Sequence, residues 1–72
     1  MSMLPAVRVS LDRKLDNEAC KKIHDQVSKT KGVLGAHFNA KAKNIIVTYD
    51  GGMATKDKIQ KIPGVTGVQR QF

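Results

Sequence analysis

The stretch from Lys31 to Asp50, KGVLGAHFNAKAKNIIVTYD, constrains the fold more than any other part of the chain. Val33 to Phe38 and Ile45 to Asp50 are short runs rich in apolar, β-branched and aromatic residues, and the polar run Asn39 to Asn44 separates them. That is the pattern of two strands joined as a β-hairpin. On each side of it lies a basic, helix-patterned segment, and beyond each of those another short apolar run.

In chain order, residues 1–5 form a lead-in, and Pro5 sets the entry to a strand. Val7, Val9 and Leu11 alternate with Arg8 and Ser10, the period-two signature of a half-buried strand. Asp16 then stands as a helix N-cap, with Asn17 and Glu18 in the first turn, where acidic groups suit the helix dipole. Leu15 and Cys20 occupy hydrophobic-staple positions. Ala19, Ile23 and Val27 make an apolar stripe, while Lys21, Lys22, Asp25, Gln26 and Lys29 face away from it. Gly32 is a left-handed stop for this helix.

After the hairpin, Asp50-Gly51-Gly52 breaks the strand. Thr55 is placed to cap a short second helix whose Ile59 and Ile62 point inward, and Pro63-Gly64 ends it. A last strand runs from Val65 to Phe72. The exits of the two helices echo one another: Gly32-Val33-Leu34-Gly35 and Gly64-Val65-Thr66-Gly67 both read Gly-Val-x-Gly. Strand, helix, strand, strand, helix, strand with matching exits predicts a ferredoxin-like α+β sandwich, βαββαβ, with two helices on one face of a four-stranded antiparallel sheet. The inner face would carry Val7, Val9, Leu11, Ile45, Val47 and Tyr49. The open face would carry Arg8, Ser10, Ile46 and Thr48.

At 72 residues the chain is expected to be one domain, 1–72, with one modest core. No apolar run nears the roughly 20 residues that a membrane span needs. The N-terminal residues MSMLPAVRVS lack the basic and apolar regions of a signal peptide, and a single cysteine offers no internal disulfide. A cytoplasmic, reducing setting is the expectation. The net charge of +7, with ten lysines among the thirteen basic residues, fits either a solubilising surface or an acidic partner.

The run GVLGAHFNAKAKNIIVTYD, the lysine-rich helix holding Thr55 and Ile59, and the spacing of Ala19, Ile23, Val27 and Gly32 resemble the heavy-metal-associated (HMA) domains of copper chaperones and metal ATPases. The resemblance spans essentially the whole chain. Members of that family hold soft metal through Cys-x-x-Cys before the first helix, and the matching residues here are Asp16-Asn17-Glu18-Ala19. Cys20 lies one residue beyond the second ligand position. Without the thiolate pair no cofactor is expected by the family's route. Cys20 and His24, four apart on a helix, with Asp16 a turn earlier, are the weaker candidates for a borderline metal such as Zn²⁺. His37 has no partner visible in the sequence.

The ending TKDKIQKIPGVTGVQRQF is similar to the end of subtilisin propeptides and their free-standing inhibitor relatives, which share the βαββαβ sandwich. That resemblance implies protease binding through the sheet, with Gln69 to Phe72 as a tail in the active-site cleft. Asn44-Ile45 replaces the family's Gly-Phe pair, the tail is short, and Arg70 stands where acidic residues are usual.

Nucleic acid is a further possible partner by charge alone, through Lys29, Lys31, Lys41, Lys43, Lys56, Lys58 and Lys61. The open-face residues supply no aromatic platform for bases. No phosphate loop or catalytic triad can be assembled, so no enzyme is expected. The sequence points to a small non-enzymatic binding module that contacts another protein, with Lys21, Lys22, Lys29, Ile46, Arg70 and Phe72 as contact candidates. The edge strand Val33 to Phe38 is a second means of contact.

Overall fold

The alternating Val7, Val9 and Leu11 lie on one side of a strand, β1 (Ala6–Leu11), and all three are buried. The computed structural model describes residues 5–70. Over them β1 is followed by α1 (Asn17–Lys29), β2 (Val33–Asn39), β3 (Asn44–Tyr49), α2 (Met53–Gln60) and β4 (Val65–Arg70). The strands form one antiparallel sheet in the order β2-β3-β1-β4, and with the two helices they make the ferredoxin-like α+β arrangement.

Both central strands alternate without a break, Ile45, Val47 and Tyr49 of β3 being buried and Ile46 and Thr48 half-buried. The buried side chains of β1 and β3 meet Cys20, Ile23 and Val27 of α1 and Ile59 of α2 in one core. Each aliphatic side chain of this size contributes about 1.5–3 kcal/mol when fully buried.

Helix α1 starts as its sequence predicts. Asp16 is the N-cap and its Oδ1 accepts the Ala19 N–H at 2.8 Å, while Leu15 packs on the core that holds Cys20. The buried stripe differs by one residue, with Cys20 in it and Ala19 only partly covered. Steps of four drift around a helix of 3.6 residues per turn, whereas a step of three followed by one of four stays on one side. The helix also stops before Gly32. Thr30 is the C-cap, its N–H reaching Val27 O at 3.1 Å and its Oγ1 donating to Gln26 O at 2.8 Å.

Helix α2 begins earlier than expected. Its N-cap is Gly52, and the start signal comes from Asp50, whose Oδ1 accepts the Gly52 N–H at 2.8 Å. Thr55, expected as the cap, is buried within the helix. Its Oγ1 lies 3.2 Å from Asp50 Oδ1 and 3.3 Å from Lys31 O, so one proton serves two acceptors. Strand β3 begins one residue earlier than the sequence indicated and ends one earlier, and β2 gains Asn39, which pairs with Asn44. The expected continuation of the last strand through Gln71 and Phe72, and the lead-in at 1–4, lie outside the described residues.

The echo in the sequence is an echo in the backbone. Gly32 and Gly64 have φ of 97° and 95°, a region that glycine enters without a side-chain clash. The carbonyl of Gly32 accepts the Asp50 N–H and that of Gly64 the Asp12 N–H, each at 2.9 Å. Each edge strand then slips register once, at Leu34 in β2 and at Thr66 in β4. Asp12 and Asp50 each turn Oδ1 onto the N–H two residues on. The two halves thus enter the sheet by the same glycine turn and the same bulge.

Candidate functional site

Strand register assembles the uncovered face of the sheet in rows. His37 of β2 stands opposite Ile46 of β3, Ile46 opposite Arg8 of β1, and Arg8 opposite Gln69 of β4. This row crosses all four strands. Arg8 Nη2 donates to Gln69 Oε1 at 3.0 Å, which ties the guanidinium to the neighbouring strand. One neighbouring row carries Gly35, Thr48 and Ala6, and the other Asn39, Asn44, Ser10 and Gly67. A β-carbon at Gly35 or Gly67 would meet nothing within 4 Å. Those glycines therefore leave opposite corners of the face low, and Ile46 is the aliphatic side chain at its middle.

The predicted contact residues do not gather in one place. Ile46 is on the open face, while Lys21, Lys22 and Lys29 are exposed on α1, in the layer on the other side of the sheet. Arg70 closes β4 opposite Val7. Phe72 lies outside the described residues. His37, which showed no partner in the sequence, stands beside Ile46. The strand alternation gave the facing of Arg8, Ser10, Ile46 and Thr48. It did not show which residues line up across strands, because register depends on the bulges at Leu34 and Thr66.

The metal candidates sit in different surroundings. Cys20 is 0% exposed in the core. Asp16 holds the Ala19 N–H. His24 Nε2 lies 3.0 Å from the carbonyl of Ala36, a contact that needs a proton on that nitrogen and leaves it no lone pair for a metal. Its Nδ1 faces Asp25 Oδ1 at 3.9 Å. Among the described residues no group of three or more His, Cys, Asp or Glu side chains is placed to hold a metal ion. A hard carboxylate and a thiol buried in the core do not fit the soft ion that HMA domains carry.

His24 has a different part, which the sequence did not reveal. It reaches from α1 to an edge carbonyl of β2 and ties the helix to the strand. A strand adding to β2 would compete with the imidazole at that point. Comparison of the chain with protein-family models, with curated proteins and with solved structures gives no match, so the chain is placed in no family on that ground.

Proposed function

We propose that this chain is a small non-enzymatic binding module, HMA-like in architecture without that family's metal ligands, which docks another protein on its open sheet face. The observation that carries this reading is the row His37, Ile46, Arg8, Gln69. It sets one aliphatic side chain at the centre of a polar, low-relief surface that no helix covers. Protein contacts commonly take this form, an apolar centre with a polar surround. The face is preferred over strand addition because His24 already engages the edge carbonyl of Ala36. The buried free thiol of Cys20 suits a reducing, cytoplasmic setting.

The test places a photo-crosslinking residue at Ile46 in one variant and at Lys22 in another, each used on extract of the native cell. A discrete adduct from position 46 and none from position 22 is expected. An adduct from position 22 alone would move the interface to α1 and overturn the reading. Subtilisin is the first defined partner to assay, since the propeptide-like inhibitors also bind through the sheet. Inhibition that Ile46→Lys weakens at least tenfold would name a protease as the partner class.

A further inference from the structure

A second surface lies at one end of the sheet, where the β1–α1 loop meets the β2–β3 turn. A concavity of about 350 Å³ opens there, lined by Arg13, Lys41, Ala42 and Lys43. Its lining holds three cations and no carboxylate. Of the nearby acids, which do not line it, Asp12 Oδ1 accepts the Lys14 N–H and Asp16 Oδ1 the Ala19 N–H. Among the described side chains no lysine or arginine pairs with a carboxylate.

The floor of this concavity is fixed by more than chance proximity of surface lysines. Asn39 Oδ1 accepts the N–H groups of Lys41 and Ala42 at 3.1 and 3.4 Å and shapes the turn. Lys43 takes a left-handed backbone, φ 49°. Its carbonyl accepts the Leu11 N–H at 3.0 Å, and its Nζ donates to Arg13 O at 2.6 Å and Leu15 O at 2.7 Å. An ammonium group has three protons, so one remains for a ligand. Lys43 thereby locks the turn onto the loop that carries Arg13. The exposed Arg13 and Lys41 side chains stand beside it with no carboxylate partner.

From this geometry we infer that the concavity is a binding site for the phosphate group of a small phosphorylated ligand. Arg13, Lys41 and Lys43 line one concavity, and their charges together match a phosphate dianion, since arginine offers paired donors and lysine a point charge. The volume is at the small end of ligand sites, which run from about 300 to 1,000 Å³. It has room for a compact phosphorylated anion. The site is separate from the sheet face and stands or falls independently of partner docking there.

The experiment is a titration of the full chain with inorganic pyrophosphate, followed by backbone amide shifts. It is repeated with the double variants Arg13→Ala/Lys41→Ala and Lys56→Ala/Lys58→Ala, which remove equal charge from the concavity and from α2. Saturable shifts centred on residues 12–15 and 39–44, weakened at least tenfold by the first variant and less than twofold by the second, are expected. Equal weakening by both variants, or shifts that spread over α1 and α2 without saturating, would overturn the site. So would a single-stranded oligonucleotide that binds more tightly than pyrophosphate and loses affinity as much on changing Lys56 and Lys58. Lys43 is left intact because its ammonium also braces the fold.

Discussion

The Nε2 proton of His24 goes to the carbonyl of Ala36, and that one contact governs what the β2 edge can do. Replacing His24 by Ala removes a part-buried hydrogen bond between α1 and β2 and leaves an edge acceptor free. The expected cost is about 1 kcal/mol, read as a lower urea midpoint with an unchanged slope. Faster amide exchange along β2 should accompany it. The sequence groups His24 with Cys20 and Asp16 as a metal candidate, because spacing of four puts residues on one side of a helix. Spacing does not say whether that side meets solvent or a neighbouring strand. Cys20 meets the core and His24 meets the strand edge, so the residue types were legible and their surroundings were not.

At the scale of the element, the loops that follow β1 and β3 are built alike, each from an aspartate that turns back on its own backbone. They are not equal in consequence. Asp12 holds one N–H, that of Lys14. Asp50 holds the Gly52 N–H and also faces the buried Thr55 hydroxyl, so it anchors the start of α2. Asp50→Ala should therefore destabilise the fold by about 1–3 kcal/mol and Asp12→Ala by about 1 kcal/mol or less. The difference between the two urea midpoints is the measurement. Propensity points to Thr55 as the cap because threonine is a common one. Asp50, five residues earlier, supplies the signal through a turn that propensity does not encode. The strands were easier to read. Their alternation assigned both sheet faces, while the bulges at Leu34 and Thr66, visible only as a repeated Gly-Val-x-Gly, set the register.

On the scale of the whole molecule, charge and shape are divided between layers. Lysines 21, 22 and 29 of α1 and 58 of α2 are exposed on the helix side, while the open sheet face carries Arg8 as the charged residue of its central row. Binding on the sheet face should therefore depend little on salt, and anion capture at Arg13, Lys41 and Lys43 strongly. Pyrophosphate titration and partner binding, each measured at two salt concentrations, separate the two, with tenfold or greater weakening expected only for pyrophosphate. The net charge was plain from the sequence. Its division was not, because it follows from how α1 and the hairpin turn pack against the sheet.

The pairing of Val7 with Arg70 has an architectural consequence. Neighbouring antiparallel strands place paired α-carbons about 5 Å apart, so the backbone enters and leaves the sandwich side by side. A unit with that geometry can be spliced into a surface loop of an unrelated host without prising the host open. Grafted through residues 5 and 70 into such a loop, the domain should fold in place, and the chimera should show both parents' amide spectra superimposed. The same molecule that offers a face to a partner is in this sense a portable cassette, and its interaction surface could be carried wherever a short loop tolerates it.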